Sequence, residues 1–183
     1  MIIIGCDITL HCEYRKDGVW HNCDNFEWDE QTKAYEFMSI YDWRNYDLFG
    51  ILAGVRSNEY DPIDNPRGLP KDISLKTKEM ADEWKDSGHS YSWLTLRELL
   101  ACKFKQKKKW KKYKKHYEVV HSTTDGTYLV DNEGNMVYKR DHKMLDRLIR
   151  LMKDKMDDHI FCFDEDDYWM KGDDFRIVFW FDN

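Results

Sequence analysis

The segment "FRIVFWF", Phe175 to Phe181, restricts the fold more than any other part of the chain. Phe175, Ile177, Phe179 and Phe181 alternate with Arg176, Val178 and Trp180, so a strand here has two largely apolar faces. Such a strand is predicted at the centre of a sheet. Its partners are expected near the other end of the chain, where Ile8, Leu10, Cys12 and Tyr14 alternate with Thr9, His11, Glu13 and Arg15. Asp17-Gly18 then predicts a hairpin turn, with Val19 to His21 starting the return strand.

Helical spacing appears in three places. Tyr46, Phe49, Leu52 or Ala53, and Val55 place an apolar stripe on a helix over about 43–56, where Gly50 and Gly54 permit close packing. Thr95 and Glu98 form a capping box, with Leu94 positioned to pack on Leu99, so a helix begins in "LTLRELL" and continues into the lysine-rich segment 103–117. Leu145, Leu148, Ile149, Met152 and Met156 predict another over about 141–157. Ser74 is the expected N-cap of a short helix ending near "SGH".

Three short strands complete the pattern: "YEVVH", "TYLVD" and "NMVYK", separated by Asp125-Gly126 and Glu133-Gly134, read as a meander. "YEFMSIY", 35–41, is a further strand after a polar loop. Residues 57–73 hold all three prolines and form the longest loop, a natural place for a site. Strands and helices without regular alternation predict one α+β domain over 1–183, with an antiparallel or mixed sheet, a helix layer and the meander.

Composition excludes disorder and membrane spans. Hydrophobic residues at 42% suffice for a core, whereas a mean hydropathy of −0.82 implies a wet surface. The opening "MIIIGCDITL" is too short to span a bilayer and lacks a basic leader, so a cytoplasmic location is expected. Five widely spaced cysteines, Cys6, Cys12, Cys23, Cys102 and Cys162, read as reduced thiols.

Several blocks taken together, "GCDITL", "EYR", "GVW", "RNYDLFGILAGVR", "PRGLP", "HSYSWLTLREL" and "FRIVFWFDN", resemble a family of small tailed-bacteriophage proteins to which no activity is assigned. The resemblance implies action in a host bacterial cytoplasm, against a host or defence protein or on a nucleotide-derived signal. Two positions depart from the family pattern: Thr9 stands where D-I-H is typical, and Tyr91 where H-S-H or H-S-A is. If those histidines are metal ligands, this chain lacks them.

Four groups of residues are candidates for function. Asp7, Thr9 and His11 share one strand face, which can line a polar pocket, hold a metal or simply meet water. His116, His121 and His142 are further potential ligands, but no HExxH-type spacing appears. Arg44, Asn45, Arg56 and Arg67 can bind a phosphate or carboxylate, or form structural ion pairs. In "GHSYSW", His89, Ser90 and Trp93 offer a proton carrier, a hydroxyl and a stacking surface, although no GxSxG elbow is present.

The fourth group is the lysine run itself. Nine lysines lie between Lys103 and Lys115, and Lys108, Lys109, Trp110, Lys111, Lys112 and Tyr113 mix cations with aromatics. That mixture suits single-stranded nucleic acid, an acidic protein partner or a solvated helix face neutralised by the acidic end of the chain. The functions consistent with these residues are a binding protein that blocks a bacterial partner or sequesters an anionic nucleotide-like ligand, an acid-base or metal-assisted hydrolase using Asp7, His11 and His89, and a nucleic-acid binder. No cofactor fingerprint such as GxxxxGK[ST] or GxGxxG occurs.

Overall fold

The computed structural model describes residues 5–57, 60–122, 126–140, 143–160 and 164–183. Three of the residues read above, Asp125, His142 and Cys162, lie outside them. The described elements run β1 (Asp7–Lys16), β2 (Val19–Asn22), β3 (Asn25–Asp29), β4 (Ala34–Met38), α1 (Tyr46–Ala53), α2 (Leu75–Glu83), β5 (Gly88–Thr95) and α3 (Leu96–Tyr113). They continue with β6 (Glu118–Ser122), β7 (Gly126–Val130), β8 (Met136–Arg140), α4 (Lys143–His159), α5 (Glu165–Lys171), a short 3-10 turn and β9 (Phe175–Asp182). The class is α+β, and the sheets are antiparallel.

The apolar C-terminal strand sits where its two-faced pattern requires. The main sheet has the order β2-β1-β9-β5, with Leu10 opposite Phe179, Cys12 opposite Ile177 and Leu94 opposite Ile177 on the other side. One face carries Ile8, Leu10, Cys12, Phe175, Ile177, Phe179 and Phe181, all buried against α1, α3 and α4. The amphipathic stripe of α4, Leu145 to Met156, fills this layer as its spacing predicts.

The opposite face is also covered, but by different material. Val178 and Trp180 are buried there beneath α2, the β3–β4 hairpin and the proline-containing loop. The loop is tied to the edge strand β5: the Gly68 amide donates to the Tyr91 carbonyl at 2.8 Å and the Arg67 guanidinium to the Trp93 carbonyl at 3.1 Å. It thereby covers an edge that would otherwise offer unpaired backbone groups.

Local signals explain the joints. Asp17 and Gly18 both have positive φ, 52° and 80°, the geometry that lets a two-residue turn follow the strand twist. The Thr95 side chain accepts from the Glu98 amide while the Glu98 carboxylate takes the Thr95 amide at 2.8 Å, a reciprocal cap worth about 1 kcal/mol. α3 stops at Tyr113, earlier than the lysine-rich segment does, and a turn leads into the meander. The meander packs on the last turns of α3 through Trp110, Tyr113 and Tyr138.

The segment "GHSYSW" forms the first part of strand β5, with a bulge between His89 and Ser92 at which Ser90 adopts φ 52°.

Candidate functional site

A mixed polar and apolar groove lies between α3, β8 and residues 60–63, with a volume of about 600 Å³. The i, i+4 geometry of α3 presents Ala101, Cys102, Lys105, Gln106 and Lys109 along one wall. Across from them β8 offers Met136, Val137, Tyr138 and Lys139, while Pro62 and Ile63 close the end. The lining mixes apolar side chains with three lysines, Lys105, Lys109 and Lys139, and two carboxylates, Asp61 and Glu98.

The state of those cations is what makes the groove distinctive. Lys109 is held only loosely, 3.6 Å from the highly exposed Asp61, and its ammonium lies 5.1 Å from the Tyr138 ring centre. Lys139 pairs with Asp47 at 3.1 Å. Lys105, exposed, makes no ion pair among the described residues. Elsewhere in the run Lys103 pairs with Asp146 at 3.0 Å. The acidic end does not neutralise the run: Asp173, Asp174, Glu165 and Asp167 pair with Arg97, Arg15, Lys153 and Lys171.

Lys108, Lys111 and Lys112 are exposed beside the groove, as a solvated or ligand-facing stripe would be. Trp110 departs from expectation. Its indole is buried against Tyr138, because the meander covers that side of α3, so it presents no face for stacking bases. Tyr113 is half-buried and meets Tyr138 edge-on at 5.7 Å. Cys102 opens into the groove, but burial pushes its thiol up to about 11 against a smaller opposing pull from Lys105. At neutral pH it is a thiol rather than a nucleophilic thiolate.

A second cavity, about 670 Å³, lies under the proline-containing loop and is lined by Arg15, Trp20, Arg67, Lys71, Trp93 and Arg176 among others. Guanidinium and indole alternate through it. Arg15 lies 5.5 Å from the Trp20 ring centre, Arg176 lies 3.8 Å from Trp20 and 5.6 Å from Trp93, and Arg67 lies 4.8 Å from Trp93.

Every arginine of this series already has a carboxylate. Arg15 donates to Asp174 at 2.7 Å; Arg176 donates to Glu13 at 2.8 Å and Asp72 at 2.9 Å; Arg67 donates to Glu98 at 2.6 Å and Asp64 at 2.8 Å. The Trp20 indole N–H donates to Asp72 as well. This is an internally neutralised latch that fastens the loop to the sheet, and its arginines have little left to offer an incoming anion.

The predicted arginine and histidine set does not converge. Arg67 and Trp93 meet in the latch, whereas Arg44 lies at the other end of the sheet, clamped bidentately on Asp7 and holding that carboxyl below its usual range. The guanidinium lies against Gly5, where an added Cβ would have to displace the end of the Arg44 side chain. Asn45 caps α1 by accepting from the Leu48 amide at 2.7 Å, which consumes one of the amides expected to hold an anion. Arg56 donates to the side chain of Asn183.

His89 and His11 lie on opposite faces of the sheet, so Asp7, His11 and His89 cannot form one catalytic set. The register places His89 opposite Phe181, on the helix-covered face. Its Nδ1 meets the Ser90 hydroxyl at 3.0 Å, but no third side chain orients the pair, and Nε2 has no partner among the described residues. On the other face, His11 Nδ1 is 2.7 Å from Asp24. Thr9 lies opposite Trp180, and the Tyr91 ring packs 5.5 Å from that same indole. Thr9 and Tyr91 are therefore neighbours of one residue. His116 is exposed and His121 contacts Thr127.

Sequence reasoning missed the groove because half of its wall comes from β8 and residues 60–63, brought to α3 by the fold. The only legible signal was the Ala101, Cys102, Lys105, Lys109 stripe at helical spacing. Among the described residues no group of three or more His, Cys, Asp or Glu could hold a metal ion, and no helix is long and apolar enough to cross a membrane. The chain matches no family model, no curated protein and no solved structure.

Proposed function

We propose that this chain is a small phage-type binding protein that sequesters an anionic, nucleotide-like ligand in the groove between α3 and β8. One observation carries the reading: a groove lined by Tyr138 and other apolar side chains also carries two ammonium groups, Lys109 weakly paired and Lys105 without an ion pair among the described residues. A ligand with a flat or apolar body and a charged group satisfies both parts at once. The volume suits a ligand of this size, since small-molecule sites run from about 300 to 1,000 Å³.

Binding rather than turnover fits the groove's own chemistry. Its lining contains no histidine, and Cys102 is held protonated. The bacterial cytoplasm is the setting that the phage-like blocks suggest, and capture of a nucleotide-derived defence signal is the role that joins the setting to the groove.

A second reading is favoured by the exposed Lys108, Lys111 and Lys112, which can follow a phosphate backbone without base stacking. One experiment separates the two: native mass spectrometry of protein purified from bacteria, followed by titration with a fluorescent anthraniloyl adenosine nucleotide and with a single-stranded oligonucleotide. The groove reading expects stoichiometric nucleotide binding that weakens on the order of tenfold in Lys105→Glu/Lys109→Glu and survives Lys108→Glu/Lys111→Glu. The opposite ranking, with oligonucleotide preferred, supports the second reading. No binding of either at low salt removes both.

A further inference from the structure

We propose that this chain binds further copies of itself, head to tail, by seating the β3–β4 hairpin of one copy on the lysine-bearing face of α3 of the next. The helix residues concerned, Phe104, Lys107, Lys108 and Lys111, do not line the groove.

The hairpin divides its side chains between two faces. Phe26 and Phe37 form a cross-strand pair turned towards the sheet, with the Phe37 ring 4.3 Å from buried His11. The next pair on that face, Trp28 with Tyr35, stays in solvent: the two are 48% and 70% exposed, and their rings meet edge-on at 5.3 Å. On the other face Glu27 stands directly opposite Glu36, and both are exposed. Like charges facing each other across a ladder destabilise it. Neither meets a cation among the described residues; Glu36 accepts the Thr32 hydroxyl at 3.1 Å. Lys33, the one cation in 25–38, already faces Glu30 at 2.6 Å.

The outer face of α3 is the converse. Residues 104, 107, 108 and 111 fall together by their i, i+3, i+4 and i+7 spacing. Phe104 is 65% exposed, an aromatic ring left in water on a helix whose other large apolar residues are mostly covered. Around it Lys107, Lys108 and Lys111 are exposed and make no ion pair among the described residues.

Each surface holds what the other lacks. Trp28 and Tyr35 can cover Phe104, and the lysines can relieve the repulsion between Glu27 and Glu36. The net charge of −6 makes whole copies repel. That diffuse repulsion is screened over about 8 Å at physiological ionic strength, whereas opposite charges brought into contact are screened much less, so the local match prevails.

The placement of the two surfaces sets the mode of assembly. The hairpin covers one face of the main sheet and α3 packs on the other, so the contact forms between molecules. Two copies joined this way still leave one hairpin and one helix face open. Such a contact repeats, adding copies or closing a ring.

Sedimentation velocity of the full chain tests this, after nuclease treatment, because the oligonucleotide reading uses some of the same lysines. At about 0.1 M salt we expect species larger than the monomer that grow with protein concentration, and at about 1 M salt their dissociation. Lys108→Glu/Lys111→Glu makes both surfaces acidic, and Glu27→Lys/Glu36→Lys makes both basic. Each variant alone should associate about tenfold more weakly. Mixed in equal amounts they should associate again, since the acidic hairpin of the first meets the native helix face of the second. Misfolding of either variant cannot produce that recovery. A monomer at every concentration and salt overturns the proposal and leaves the hairpin to a basic partner of another kind. Association that both variants retain overturns it too, as does a mixture of the two folded variants that stays apart.

Discussion

The two cavities are of similar size and both contain several cations, yet their cations are neutralised to different degrees. Under the proline-containing loop, Arg15, Arg67 and Arg176 each face at least one carboxylate, and their flat faces are already stacked on Trp20 and Trp93. In the groove, Lys105 stands unpaired among the described residues and Lys109 has only a loose, exposed partner. What a cation can do for a ligand depends on what already neutralises it. Buried, satisfied charge builds structure; exposed, unsatisfied charge is available for recognition.

The sharpest way to break this comparison is to cut the latch at its centre. Arg176 and Glu13 are both buried, and Glu13 also accepts the Ser74 amide at 2.9 Å. Arg176→Met leaves a buried carboxylate without its counter-charge and should cost about 3–5 kcal/mol in denaturant unfolding. Replacing both partners, Arg176→Met with Glu13→Gln, should recover part of that loss. If Arg176→Met changes the unfolding midpoint little but abolishes nucleotide binding, the assignment of roles to the two cavities is reversed.

A smaller effect is expected at Cys102, which reports on the groove alone. With its thiol near 11, the thiolate fraction at pH 8 is about a hundredfold below that of an ordinary cysteine with a pKa of 9.0, so iodoacetamide should alkylate it correspondingly slowly. A bound nucleotide should slow it further. Rapid alkylation unaffected by nucleotide would show that ligands do not occupy this wall.

The difference between the cavities also explains what the sequence could disclose. Local and periodic features were readable: the two apolar faces of Phe175–Phe181, the Asp17-Gly18 turn, the Thr95–Glu98 box and the meander each depend on neighbours within a few residues. "NFEWD" was read as polar loop because β3, which among the described strands pairs only with β4, buries little and shows no strong alternation. α5, "EDDYWMK", is short, acid-rich and has no buried residue to betray a stripe. Charge pairing was the least legible property. Arg44 finds Asp7 across 37 positions and Arg176 finds Glu13 across 163, and no local pattern encodes either match. Ion pairing of the arginines was therefore readable as a possibility in sequence, but not the carboxylate that each would meet.

The smallest expected effect concerns the wall that the cavities share. Glu98 lines the groove, yet its carboxylate is held by Arg67 of the latch and by the Thr95 amide. Burial alone would raise its pKa, but the hydrogen bonds from Arg67 and Thr95 outweigh burial and hold it below the usual glutamate range. A carboxyl whose folded pKa is depressed adds stability above its unfolded pKa, about 4.3, and that stability is lost as pH falls through the folded value. Unfolding free energy should therefore decline below about pH 4.3, with the Glu98 contribution on the order of 0.5–1 kcal/mol for a partly exposed pair. In Arg67→Met the folded pKa of Glu98 moves back up, and the decline attributable to this residue should flatten. Nucleotide affinity measured near pH 7 should change little in the same variant, because the groove's lysines are untouched. A large loss of affinity in Arg67→Met would mean that the two cavities act as one site, with Arg67 reaching the ligand across Glu98.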